Sequence, residues 1–148
     1  MRVRCATFSI LIAALLLQTA PARGDVLSKS YNFKKDVTLA IGETNLDGLR
    51  LDTVRFTLPA TVGGNHMRTG GLPKVEVALS NTSDASRRLG VAIALFDAEG
   101  RMVGVASGGS RFAPLKGNRQ KTYKLIFDDL NEDAYRAATF QISVESKP

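Results

Sequence analysis

Apolar residues return at every second position along most of this 148-residue chain. That period turns one face of an extended strand toward a core and the other toward solvent. Tyr31 and Phe33 begin the series, and Val37, Leu39 and Ile41 continue it. Leu49 and Leu51 are followed, after one residue of slip, by Val54, Phe56 and Leu58, and the slip at Asp52-Thr53 predicts a β-bulge. Val75, Val77 and Leu79 come next, then Val91, Ile93 and Leu95 with alanines between them, then Val103 and Val105. Tyr123, Leu125 and Phe127 follow, and Phe140, Ile142 and Val144 close the series.

Turn chemistry separates these runs at Gly42, Asp47-Gly48, Asn81-Thr82-Ser83-Asp84, Glu99-Gly100, Gly108-Gly109 and Gly117-Asn118. Seven to eight strands at this spacing predict an all-β antiparallel sandwich. The run 91–96 is apolar even at its alternate positions, so both of its faces are expected to be covered. One stretch, 129–138, argues for helix: Asp129 and Glu132 have capping-box spacing, and Ala134, Ala137 and Ala138 are good helix formers. It has room for two turns at most, just before the last strand.

Ahead of the first strand, Arg2 and Arg4, an uncharged apolar stretch over 8–17 and the small-x-small Ala20-Pro21-Ala22 stand in the order of a secretory signal. A signal peptide is therefore expected at 1–22 and a single β-sandwich domain at 23–148. The apolar stretch falls short of the ~20 residues that cross a bilayer, so no membrane span is expected after cleavage. The mature protein is expected to be periplasmic or secreted. Cys5, the only cysteine, precedes the apolar stretch, which leaves the mature chain without disulfides, thiolate nucleophiles or thiolate metal sites. Its core alone must hold it.

The formal net charge is +6; cleavage after Ala22 removes Arg2 and Arg4 from the 20 basic residues and none of the 14 acidic ones, leaving +4. The basic residues are scattered, with Lys34-Lys35 and Arg87-Arg88 the longest pairs. They make no patch able to neutralise many phosphates, and no nucleic-acid partner is expected.

Within 74–127 the run Val75-Glu76-Val77-Ala78-Leu79-Ser80-Asn81-Thr82-Ser83 leads to Val91-Ala92-Ile93-Ala94-Leu95-Phe96-Asp97-Ala98-Glu99-Gly100-Arg101-Met102-Val103. This is a strand, an Asn-x-Ser turn, a second strand ending in Leu-aromatic-Asp, a glycine hairpin and a third strand. The pattern resembles exported bacterial immunoglobulin-like modules, most nearly the FxLYD-type domains. Here Phe96 stands where such modules usually carry tyrosine, and the glycine common before the Asn turn is missing. The resemblance implies an immunoglobulin-like sandwich serving as a binding or spacer element, without enzymatic residues.

His66, the only histidine, lies in Val62-Gly63-Gly64-Asn65-His66-Met67-Arg68-Thr69-Gly70-Gly71. No activated nucleophile stands near it in sequence, so a solvated loop histidine is expected, not a general base or metal ligand. The glycine-rich loop between Gly63 and Gly71 is itself a place for binding. Asp128, Asp129, Asn131, Glu132 and Asp133 carry enough oxygens for calcium, but their spacing matches no calcium loop. Arg23-Gly24-Asp25 matches an integrin-recognition tripeptide, yet it falls at the expected cleavage junction. Asn81-Thr82-Ser83 fits an N-glycosylation acceptor and a turn equally; the resemblance to bacterial modules implies only a turn. No catalytic, cofactor or metal site is assigned. The chain is expected to be a non-enzymatic binding or structural module of the cell envelope that meets a protein or a glycan through loops or an edge strand. The alternative is a small secreted protease inhibitor or hydrolase acting through the Gly63 to Gly71 loop.

Overall fold

The computed structural model of the protein describes residues 25–46, 48–58, 72–110, 113–127, 130 and 132–147, with side chains throughout except at 25, 44–46, 132 and 133. The expected signal segment lies outside the described residues. Eight strands run in the order β1 (Asp25–Asn32), β2 (Thr38–Leu46), β3 (Leu49–Thr57), β4 (Lys74–Asn81), β5 (Arg88–Phe96), β6 (Met102–Gly109), β7 (Arg119–Ile126) and β8 (Thr139–Lys147). They form two four-stranded antiparallel sheets, ordered β1-β8-β5-β6 and β2-β3-β4-β7. The short helix expected before the last strand is one turn of 3-10 helix, Glu132–Arg136.

The sheet orders follow the immunoglobulin-like sandwich with departures at its margins: β1 takes one strand's place, β2 lies outside β3, and among the described residues no strand stands in the place of D beside β7. Strands β4 to β8 follow the course of its B, C, C′, E and F: β4 and β7 are neighbours as B and E are, and β6-β5-β8 repeats C′-C-F. Strand β3 stands in the place of A. The place of G, beside F, is taken by β1, the first strand instead of the last.

Each sheet buries its inner face. Val54, Phe56, Val75, Val77, Leu79 and Leu125 of one sheet meet Val91, Ile93, Leu95, Phe140, Ile142 and Val144 of the other. At one end the rings of Phe33, Phe56, Phe140 and Tyr31 form a chain, with centroid separations of 4.9, 4.8 and 5.4 Å. The Phe56–Phe140 contact is edge-on and crosses between the sheets, a favoured geometry for two π-systems.

The bulge expected at Asp52-Thr53 is present, where the β3-β4 register shifts between Leu51 and Thr53. Several expectations need correction. Gly42 makes no turn; it lies inside β2 at φ 67°, where the β2-β3 register shifts. Gly108-Gly109 forms the last two residues of β6, so the strand ends where the separation is expected. Val105 points outward and is 44 % exposed, because Val103 is an extra residue between the pairs Leu95–Gly104 and Phe96–Met102. The bulge there turns Val103 and Ala106 inward and Val105 out. Val37 precedes β2 and is exposed. Finally, β5 is central in its sheet but covered on one face only: Val91, Ile93 and Leu95 are buried, whereas Ala92 is exposed and Ala94 half-buried.

The one-sided burial of β5 is testable. Ile93→Ala is expected to cost about 2–5 kcal/mol in lost transfer energy and an unfilled cavity. Ala92→Ser, one position along on the open face, is expected to cost about 0.5 kcal/mol or less. Urea denaturation midpoints measure both, and equal shifts would contradict the register.

Candidate functional site

The structure engages Asn81 completely. Its side chain is 1 % exposed and closes the crossing from β4 to β5. The amide nitrogen donates to the carbonyls of Ala85 (2.7 Å), Leu115 (3.2 Å) and Lys116 (3.3 Å), while Oδ1 accepts from the Ser83 backbone N–H (3.1 Å) and hydroxyl (2.7 Å). Around it, Thr82 N–H donates to the Gly48 carbonyl and Asn118 N–H to that of Ser83. The amide thus ties its own turn to the segment Leu115-Lys116. Asn81-Thr82-Ser83 is a turn, and its asparagine is buried and fully used.

The aspartate after Leu95-Phe96 has a similar local task. Asp97 is 3 % exposed at the β5-β6 hairpin. Its carboxylate accepts from the backbone N–H groups of Glu99 (3.1 Å) and Arg101 (2.8 Å) and from Arg101 Nε (2.7 Å). Burial pushes its pKa up, but these hydrogen bonds and the Arg101 charge outweigh it and leave the carboxyl below its ordinary range. Gly100 takes φ 79° to complete the turn. A carboxylate fixed in this way locks a hairpin and is not free for chemistry.

His66 and its loop lie outside the described residues, as do Asp128, Asp129, Asn131 and the Arg23-Gly24 half of the tripeptide. Glu132 and Asp133 belong to the 3-10 turn, their side chains outside the described set. Among the described residues no three His, Cys, Asp or Glu side chains gather as a metal site, and no helix is long and apolar enough to cross a membrane.

An edge strand with open backbone groups invites a partner strand, and each edge of this sandwich is defended against one. Strand β1 turns Lys29 inward, opposite Ile142, where it pairs with Glu43 of β2 at 2.5 Å. Strand β2 has two register shifts. Strand β6 has the Val103 bulge and ends on Gly109 at φ 147°. Strand β7 exposes Arg119, Lys121 and Lys124. Between β6 and β7 runs a groove of about 460 Å³, floored in part by Gly108 and Gly109. The Ser110–Tyr123 hydroxyl pair at 3.0 Å adds a link between the sheets on this side. A Cβ on Gly108 would come 2.5 Å from Leu125, so glycine is what lets the two sheets approach here.

The outer faces differ in kind. On the β2-β3-β4-β7 sheet, Arg50, Arg55, Lys74 and Lys124 are interspersed with Asp52 and Glu76. The bulge residue Asp52 accepts from Ser80 (2.5 Å), Arg50 (2.5 Å) and Gln120 (3.0 Å). On the β1-β8-β5-β6 sheet, three consecutive cross-strand rows hold no charge: Ser28-Ser143-Ala92-Ser107, Ser30-Gln141-Ala94-Val105 and Asn32-Thr139-Phe96-Met102. Charges lie past both ends of them: Arg88, Glu145 and Lys147 at one end, the last two paired at 2.9 Å, and Glu99 and Arg101 of the β5-β6 hairpin at the other. The β1-β8 half is hydroxyl- and amide-rich, with Gln141 donating to Ser28 (2.8 Å) and Ser28 against Ser143 (3.1 Å). The β5-β6 half is apolar, with Met102 61 % and Val105 44 % exposed. This face is the candidate site. Sequence reading missed it because the β6 bulge decides which way Val105 points.

Two predictions follow from these clusters. Asn81→Ala removes donors from three carbonyls in a buried setting and is expected to destabilise the fold by about 2–3 kcal/mol in chemical denaturation. The second concerns Tyr31, whose buried hydroxyl lies beside Glu43. Burial first, then the Glu43 charge and hydrogen bond, push its pKa up to about 12 from 10.0. The folded state holds this proton more tightly than the unfolded one, so the contribution is intact below pH 10.0 and is lost as pH rises through about 12. Tyr31→Phe is therefore expected to lose less stability than wild type between those limits, as read by denaturant midpoints at alkaline pH. Identical losses would exclude Tyr31 as a source.

No protein-family model matches the chain, and its sequence matches no curated protein.

Proposed function

We propose that this protein is an exported, non-enzymatic binding or structural module of the cell envelope, and that it meets its partner across the outer face of the β1-β8-β5-β6 sheet. The observation that carries this reading is the run of three uncharged rows with Met102 and Val105 exposed at their apolar side. Interface centres are depleted of charge and accept methionine and aromatic side chains, and Phe96 lies beside Met102 here. Export is supported by the order of charged, apolar and small residues over 1–22.

The face is favoured over an edge because the edges carry inward charge, bulges or lysines. It has hydroxyl or amide groups on one half, which suits either a protein surface or the hydroxyl-rich surface of a glycan.

A photo-cross-linking amino acid at Ser107, on the proposed face, is expected to give adducts in the native envelope fraction. The same group at Thr122, exposed on the opposite sheet, is expected to give none. Adducts from Thr122 alone, or from neither position, would overturn the assignment.

A further inference from the structure

The apolar half of this face has a pattern of large and small side chains that fits itself. On β5 and β6 the cross-strand pairs are Ala92–Ser107, Ala94–Val105 and Phe96–Met102, in successive rows. The row at one end is bulky and the row at the other is small. A two-fold axis lying in the plane of the face, along the Ala94–Val105 row, reverses the order of rows between two copies. Phe96 and Met102 of each copy then face Ala92 and Ser107 of the other. Such an isologous contact needs a surface complementary to itself, and this arrangement supplies it.

Charge selects the same face. After the expected cleavage the chain carries a net charge of +4, so copies repel one another through most orientations. The outer face of the β2-β3-β4-β7 sheet sets four basic residues against Asp52 and Glu76, and a second copy placed there brings excess positive charge together. The uncharged rows bring none. From these two observations we infer that the occupant of the face is a second copy of this chain, in a face-to-face two-fold dimer centred on Ala94 and Val105. The inference rests on the face being the contact surface, as proposed above, and adds the identity of the partner.

The size of the contact sets its strength. Strands lie about 4.8 Å apart and rise about 3.3 Å per residue, so four strands over some seven residues offer roughly 20 by 20 Å. That is below the ~800 Å² per partner of a standard stable complex. The dimer is therefore reversible, and its population depends on protein concentration.

Sedimentation velocity of the purified exported protein over a dilution series tests this. Wild type is expected to shift from monomer to dimer as concentration rises, with no weakening when salt is raised, since no ion pairs hold the contact. Val105→Lys, and separately Met102→Lys, place a charge opposite an uncharged surface and are expected to raise the dissociation constant at least ~10-fold. Both side chains are already exposed, and unchanged thermal unfolding verifies that the fold persists. Thr122→Lys on the other sheet is expected to leave association unchanged. Wild type that stays monomeric at every concentration, or a dimer that Thr122→Lys breaks and Val105→Lys spares, overturns the inference. If the protein is monomeric yet Ser107 cross-links to a different envelope component, the second-copy identity falls while the face remains the contact surface. Absence of any Ser107 adduct removes the face itself.

Discussion

No disulfide joins the two sheets, because the only cysteine of the chain is Cys5 and the sandwich begins twenty residues later. Everything else therefore depends on contact between two inner faces. Phe56 and Phe140, both fully buried, meet edge-on across the gap at 4.8 Å, with Phe33 and Tyr31 extending the ring chain toward one margin. Beyond the rings the filling is valine, leucine and isoleucine, whose branched shapes suit a pleated inner face. At the margins other devices take over: Lys29 and Glu43 across β1 and β2, and glycines that let Leu125 press against β6. Apolar packing holds the middle, and specific polar or steric fits hold the rims.

Much of this was legible from alternation alone, and the reason is physical. A strand with one dry face must place apolar groups at every second position, so Val75-Val77-Leu79 and Phe140-Ile142-Val144 announce themselves. The failures occur where that rule is locally suspended. Lys29 occupies an inward position in β1, which hid Leu27 and the true start of the strand. The Val103 bulge gives β6 two inward residues of odd spacing, so Val105 was assigned to the core when it belongs to the surface. Alanines in β5 looked like cover for a second face, but an alanine is small enough to stand at an open surface and equally at a buried one. Leu115, buried between β6 and β7 in no strand at all, has no periodic neighbours to reveal it. The candidate site was harder still, because it is defined by what two-dimensional neighbours have in common, and neighbours across a sheet are far apart in sequence.

Asn81 and Asp97 illustrate a second kind of legibility. Both belong to the stretch whose pattern resembles exported immunoglobulin-like modules, Asn81 read there as a turn residue and Asp97 as the end of a strand before a glycine hairpin. The structure shows why those residue types suit those positions. Asparagine presents donors and an acceptor together, as a crossing between sheets requires when carbonyls from its own turn and from Leu115-Lys116 converge on it. Aspartate presents only acceptors, which a tight hairpin needs for its inward N–H groups. Each could exchange with the other only by turning a satisfied contact into a repulsive one.

The placing of β1 beside β8 has a consequence for the order in which the protein can become itself. In most chains the piece synthesised first can begin to fold first, but here the first strand finds its hydrogen-bonding partner more than a hundred residues downstream. Until β8 has emerged, β1 has nothing to pair with, and β5 lacks the neighbour that separates it from β1. Closing such a distant contact is slow, since the loop entropy must be overcome before any pairing rewards it. The earliest-made strand is thus the last to be seated. Throughout that interval the nascent chain presents an unpaired strand with Leu27 uncovered, a species open to a holding chaperone.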